Sequence, residues 1–143
     1  MKLRDNIKHC PVEVAMKILG KKWTIHILRD MFRGITKFSG FLVLNPKMST
    51  KILSQRFKEL QADGMIDRMV LNQTPIQIEY HLTDKGLAFQ DIILALSRFS
   101  ITKFPERIFE NIIVTHEISE QAIQIAEHRF GVISTLEDYA QLV

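Results

Sequence analysis

One predicted helix, residues 49–62, combines an apolar stripe with a polar face whose side chains could bind nucleic acid. Leu53, Phe57 and Leu60 recur at the helical period, so this stripe is expected to face the protein interior. At 100° per residue, the opposite side carries Lys51, Gln55 and Lys58, with Ser54 beside them. A glutamine amide can bond adenine edges, and a lysine can meet guanine acceptors or phosphates. Because such a face is usually only solvated, the surrounding elements must decide between the two interpretations.

Residues at the start and flank of this helix extend the candidate binding surface. Ser49 and Thr50 suit phosphate binding through their hydroxyls and the unpaired backbone N–H groups of a helix N-terminus. Arg56 lies at the flank, where a phosphate contact and an internal ion pair are both open. Lys37 and Lys47 border the helix and are either phosphate contacts or ordinary solubilising lysines.

The elements that would position this face follow the order helix, helix, helix, helix, strand, strand, helix. Apolar periodicity and breaker residues predict helices at residues 11–19, 23–32, 37–44 and 49–62, then strands at 65–71 and 77–82. Thr83 is predicted to cap one long fifth helix that ends before Pro105. Short helices followed at once by a hairpin are the layout of a winged helix-turn-helix. The expected fold class is therefore mainly α with a small β-hairpin.

In that layout the third and fourth helices form the helix-turn-helix pair, and the hairpin is the wing. The fourth helix would then enter a major groove with its polar face. The wing tip carries Asn72 and Gln73, and such tips reach a minor groove or phosphates. Because the tip has neither lysine nor arginine, its contact with DNA is expected to be weak.

Charge is unevenly distributed along the 143 residues. The formal net charge of +3 divides into +8 up to Phe104 and −5 from Pro105 onward. A basic body suggests a polyanionic partner. The predicted organisation is a DNA-binding and dimerisation domain over residues 1–104 and an acidic helical extension over 105–143. With one cysteine, no apolar signal core and no apolar run of membrane-spanning length, the chain is expected in the cytoplasm, with no membrane partner.

Several motifs, in order and at matching separations, resemble those of HxlR-type transcriptional regulators. The first pair is Cys10-Pro11-Val12-Glu13 and Gly20-Lys21-Lys22-Trp23-Thr24. The fourth helix and the turn after it carry Leu53-Ser54-Gln55-Arg56-Phe57-Lys58-Glu59-Leu60 and Asp63-Gly64-Met65-Ile66. The second wing strand and the start of the fifth helix carry Ile78-Glu79-Tyr80-His81-Leu82-Thr83-Asp84-Lys85-Gly86. The resemblance covers roughly residues 8–103.

The resemblance implies a MarR-like winged-helix homodimer that binds palindromic operators in double-stranded DNA and represses or activates nearby genes. It places dimerisation on the terminal helices of the core, here about residues 11–19 and 83–103. One departure is Gly40, which stands where the family's third helix has a glutamate and which weakens a helix. The resemblance does not identify the effector to which such a regulator would respond.

Cys10 matches the position at which some HxlR-type members sense oxidants or electrophiles. A thiol at a helix N-terminus with Lys8 nearby favours the reactive thiolate. The alternative is a small side chain that packs at the dimer interface. Because no second cysteine exists, switching would need an intersubunit bond or an adduct.

Other functional classes have little support in the sequence. The five histidines lack metal-ligand spacing, no glycine-rich phosphate loop follows a strand, and no cofactor is expected. An enzyme is not expected, although a nucleophilic Cys10 would be one route to it. The alternative to a DNA-binding regulator is a winged-helix module that binds a ligand or protein without binding DNA; Gly40 and the uncharged wing tip leave room for it.

Overall fold

The computed structural model describes residues 7–72 and 74–108, which form six helices, a two-stranded sheet and a final short turn of helix. The α-helices are α1 (Pro11–Leu19), α2 (Thr24–Phe32), α3 (Phe38–Leu44), α4 (Thr50–Ala62), α5 (Asp84–Leu87) and α6 (Gln90–Lys103). The strands β1 (Ile66–Leu71) and β2 (Gln77–Leu82) pair antiparallel, from Ile66 opposite Leu82 to Leu71 opposite Gln77. A 3₁₀ turn at Pro105–Arg107 follows α6. The expected winged helix-turn-helix order is confirmed.

Local sequence explains where most elements begin. The Ser49 hydroxyl accepts a hydrogen bond from the Ile52 backbone N–H at 3.2 Å, which caps α4 as predicted. Thr83 caps α5 in the same way through the Gly86 N–H. Pro11 is the first residue of α1, where a missing N–H costs no hydrogen bond. Trp23 precedes α2 in a left-handed conformation, with φ of 79°, so this helix begins one residue later than expected.

The core lies between α2, α3, α4 and the hairpin, and Phe57 of α4 joins these elements. Its ring stacks on Tyr80 of β2 with 4.0 Å between centroids and meets Phe41 of α3 edge-on at 5.2 Å. Leu53 and Leu60 are buried on the same stripe. This aromatic packing fixes the rotation of α4 about its own axis, because turning the helix would expose Phe57.

The predicted single long fifth helix is wrong, since it divides into α5 and α6 at Ala88 and Phe89. Gly86 lies against the Met65 backbone carbonyl, where a side chain would collide, and the Phe89 N–H bonds the Gly86 carbonyl at 3.1 Å. This tighter i, i+3 bond ends α5 after one turn. Phe89 is thereby placed in the core.

Two apolar surfaces remain uncovered on the single chain. On α1, Val12 is 68% exposed and Met16 is also exposed, whereas Leu19 is buried. On α6, Phe99 is 58% exposed and Leu96 is also exposed. None of the helices in the described ranges has the length and apolar content that crossing a bilayer requires. The acidic extension predicted after Pro105 lies outside the described residues from position 109 onward.

Candidate nucleic-acid interface

Helix α4 divides into a buried and an exposed side along its whole length. Leu53, Phe57 and Leu60 have at most 1% of their surface exposed. Apart from Ala62 at the end of the helix, the exposed residues of α4 and its N-cap are Ser49, Thr50, Lys51, Ser54, Gln55 and Lys58. The structure therefore brings the predicted polar residues together on one surface, which we call the α4 face.

The turn between α3 and α4 is anchored from inside the molecule. Asn45 is buried, and its amide nitrogen donates to the Asp30 carboxylate at 2.6 Å and to the Phe41 carbonyl at 2.9 Å. Met48 is also buried, and its N–H bonds the Asn45 carbonyl. With both ends of the turn held, the angle between α3 and α4 is fixed by packing and hydrogen bonding.

Two predicted phosphate-contact residues flank α3. Lys37 is exposed at the residue before α3, and Lys47 is exposed within the turn between α3 and α4.

Gly40, although inside α3, does not prevent that helix from forming. A Cβ at Gly40 would approach the Ile35 side chain to 2.9 Å, so glycine here permits close packing of the segment that leads into α3.

Arg56 takes part in an internal network. Its Nε donates to the Lys22 carbonyl at 2.9 Å, and its Nη1 lies 3.1 Å from Glu59 Oε2. Its side chain is only 16% exposed. Of the two roles that the sequence left open for Arg56, the structure shows the internal ion pair.

Glu59 is the centre of this network, and its importance was not predicted from sequence. Its Oε1 accepts from Gln55 Nε2 at 3.0 Å and from Lys21 Nζ at 2.9 Å. Desolvation alone would raise the pKa of Glu59, but the hydrogen bonds from Gln55 and Lys21 and the charge of Arg56 outweigh it and lower that pKa. The spacings of Gln55–Glu59 and Arg56–Glu59, four and three residues, were available as a signal.

The wing exposes apolar side chains near its tip. Asn72 is exposed at the turn, and Gln73 lies outside the described residues. Val70 and Ile76 are exposed, the latter by 72%. Arg68 is exposed on β1, on the strand that leads to the tip.

Cys10 lies apart from the α4 face, at the start of α1. Its thiol is exposed, and its backbone carbonyl accepts the Val14 N–H at 3.1 Å. The exposed Val12 and Met16 follow it on α1, so the thiol lies at one end of an uncovered apolar surface. Among the described residues, no group of three or more histidine, cysteine, aspartate or glutamate side chains is arranged to hold a metal ion.

Comparison with known proteins agrees with this architecture. The family model described as HxlR-like helix-turn-helix matches residues 18–107. The chain is 39% identical over 92 residues to the Bacillus subtilis HTH-type transcriptional regulator YvaP, covering 64% of this chain and 85% of YvaP. The structure of reduced B. subtilis YodB, a transcriptional regulator, superposes with a TM-score of 0.61 at 32% identity, covering 67% of this chain and 95% of that one. The redox regulator HypR in its oxidised form gives a TM-score of 0.62 at 31% identity, over 66% and 97% of the two chains.

Proposed function

Because this chain belongs to the HxlR family of helix-turn-helix transcriptional regulators, we propose that it binds a palindromic operator as a homodimer and presents the α4 face to the major groove. The observation that carries the proposal is the division of α4. Its apolar stripe is locked by Phe57, while Lys51, Gln55 and Lys58 are exposed. A recognition helix requires this combination, because its base-contacting side chains must keep a fixed position relative to the duplex.

Contacts with phosphates would supply most of the affinity. Ser49 and Thr50 present hydroxyls at the N-terminus of α4, where the helix dipole favours an anion. Lys37 and Lys47 lie on either side of α3, and Asn72 with Gln73 would reach the backbone from the wing. Each phosphate neutralised releases counterions, so binding should weaken steeply with salt.

The apolar surfaces of α1 and α6 support the homodimer. Val12, Met16, Leu96 and Phe99 are exposed on the single chain, and a second copy would remove them from water. A two-fold dimer repeats the α4 face, and this repetition is what a palindromic site matches.

Cys10 supports thiol control of this regulator. A relative with the same fold, HypR, is a redox regulator. In the simplest scheme, two Cys10 thiols of one dimer reduce a hydroperoxide, lose two protons and two electrons, and form an intersubunit disulfide, while the peroxide leaves as water and an alcohol. An electrophile would instead form an adduct with each thiolate.

The test of DNA recognition is selection of bound fragments from genomic DNA by the purified full chain, followed by fluorescence anisotropy with the selected duplex and a scrambled one. We expect selective binding that weakens with salt, and a loss of affinity for Lys51→Ala on both duplexes. Arg107→Ala removes the same charge from an exposed residue of the 3₁₀ turn that follows α6 and serves as the matched control. Equal affinity of the wild-type protein for both duplexes would favour a winged-helix module without operator recognition.

A further inference from the structure

The side-chain amide of Gln55 is held by a group that can only accept hydrogen bonds. Glu59 Oε1 lies 3.0 Å from Gln55 Nε2, one helical turn further along α4. The lowered pKa of Glu59 keeps the carboxylate ionised at neutral pH, so it offers no donor. Only one of the two amide orientations satisfies it, with the Gln55 nitrogen toward Glu59 and the amide oxygen away from it.

Glu59 itself is fixed from two sides. Lys21, in the connection between α1 and α2, lies 2.9 Å from Oε1, and Arg56 lies 3.1 Å from Oε2. Arg56 is in turn bonded to the Lys22 carbonyl. These two cations also offset the negative charge that Glu59 would otherwise present to DNA. The carboxylate is therefore a fixed reference point for Gln55.

The orientation of an amide decides which bases it can contact. In the major groove, adenine presents an amino donor beside the N7 acceptor, whereas guanine presents two acceptors, O6 and N7. With one N–H engaged by Glu59, the Gln55 amide retains its oxygen and a second N–H. Among the described residues, no group donates a hydrogen bond to that oxygen. That pair of groups matches adenine and leaves the Gln55 oxygen facing an acceptor on guanine.

We propose that Glu59 is a positioning residue for DNA recognition, which holds the Gln55 amide in the orientation that selects adenine over guanine at the base pair it contacts. This inference rests on the proposed function, because it assigns the base preference of the α4 face. The held side chain has already lost its rotational freedom before DNA arrives, which lowers the entropic cost of binding.

The experiment is a specificity profile of the full-length protein, obtained by selection from randomised duplexes, for wild type, Gln55→Ala, Glu59→Gln and Lys22→Ala. The contacted base pair is the position whose preference changes in Gln55→Ala. There we expect the wild type to prefer adenine to guanine by on the order of tenfold. Glu59→Gln should remove most of this preference, because a second amide can donate as well as accept and so permits both orientations of Gln55.

Lys22→Ala is the control, since it removes a positive charge next to Lys21 in sequence and keeps the backbone carbonyl that bonds Arg56. It should lower affinity for all duplexes alike and leave the adenine-to-guanine ratio unchanged. Glu59→Asp, which keeps the charge but withdraws the carboxylate by one methylene, is a second variant should Glu59→Gln not fold. It should also lower the ratio.

The proposal would be overturned if the folded Glu59 variants kept the adenine-to-guanine ratio of the wild type. It would also be overturned if Gln55→Ala had the same specificity profile as the wild type. In both cases the wild-type protein would still select a sequence, so the proposed function would stand. Failure of the proposed function has a different signature, because the wild-type protein would then select no sequence at all.

Discussion

The amide nitrogen of Asn45 donates a 2.6 Å hydrogen bond to Oδ2 of Asp30, a carboxylate with 0% of its surface exposed. The other oxygen of Asp30 accepts two bonds from Arg29, at 2.8 and 2.9 Å. Helix α2 is thereby tied to the turn that sets the direction of α4. The stability of the α4 face consequently depends on the buried carboxylate of Asp30, which is more than 10 residues away in sequence from the turn between α3 and α4.

Replacing Asp30 should therefore destabilise the fold. Asp30→Ala removes one of the two acceptors of the buried Asn45 amide and the carboxylate that pairs with Arg29; breaking a buried pair typically costs about 3–5 kcal/mol. Urea unfolding followed by circular dichroism measures the loss. Asp67→Ala, at an exposed position of β1, should change the free energy of unfolding by less than about 0.5 kcal/mol. Similar losses in the two variants would contradict a special role for Asp30.

Gly86→Ala should destabilise the junction between the wing and α5. The new Cβ would meet the Met65 carbonyl and approach the Leu82 side chain to 3.0 Å, and overpacking of this kind costs about 1–3 kcal/mol. Gly34→Asn is the comparison, because Gly34 has open space around it and φ of +85°, which asparagine tolerates. Thermal unfolding should show the larger loss for Gly86→Ala; the reverse order would show that contact with Met65 is unimportant.

The contribution of Glu59 to stability should depend on pH. Because its pKa is below the ordinary value of 4.5 in the folded protein, its interactions stabilise the fold above 4.5 and are lost as pH falls through the lowered value. Wild type should exceed Glu59→Gln in urea midpoint at neutral pH, and the difference should close at an acidic pH below the lowered pKa of Glu59. A difference of the same size at both pH values would mean that the carboxylate charge does not contribute.

Charge placed on the exposed face of α6 should prevent dimer formation. Leu96→Glu and Phe99→Glu each introduce a carboxylate that an apolar interface would have to bury. Sedimentation velocity should show a dimer for wild type and a monomer for these variants, together with weaker binding to the selected duplex. Val43→Glu, which introduces the same charge at an exposed apolar position of α3, should remain dimeric. A monomeric wild type would reject the homodimer.

Oxidation should alter DNA binding through Cys10 alone. Treatment with a hydroperoxide should change the affinity of wild type for its selected duplex and leave Cys10→Ser unaffected, because serine has no oxidisable sulfur. Reducing agent should reverse a disulfide, and a non-reducing gel should show it as a covalent dimer. Equal responses of the two proteins would assign the effect to another residue.

Most of the fold followed from local patterns, because periodicity, caps and breakers act within a few residues. Ser49, Pro11 and Thr83 begin their helices as expected, and the strand bounds agree to within one residue. The division between α5 and α6 was missed because it depends on Met65, which approaches Gly86 only in the folded chain.

The polar face of α4 was also predictable, because its apolar stripe determines which side is exposed. The network around Glu59 was harder to predict from the sequence. Two of its members follow from helical spacing, but Lys21 and the Lys22 carbonyl come from another element. The orientation of the Gln55 amide is a property of that assembled network.

The break at Ala88 and Phe89 lies between the helix proposed to join two copies of the chain and the part of the chain proposed to recognise bases. It therefore bears on two properties of a regulator, the spacing of operator half-sites and the choice of bases. In the proposed dimer, α6 joins the two copies and α4 contacts the bases, and the break between α5 and α6 lies between these two helices along the chain. Substitutions at this break that keep Phe89 in the core are expected to change the spacing of the two copies of α4 and to leave the α4 face itself unchanged. New target arrangements could thus evolve in the chain independently of new target sequences.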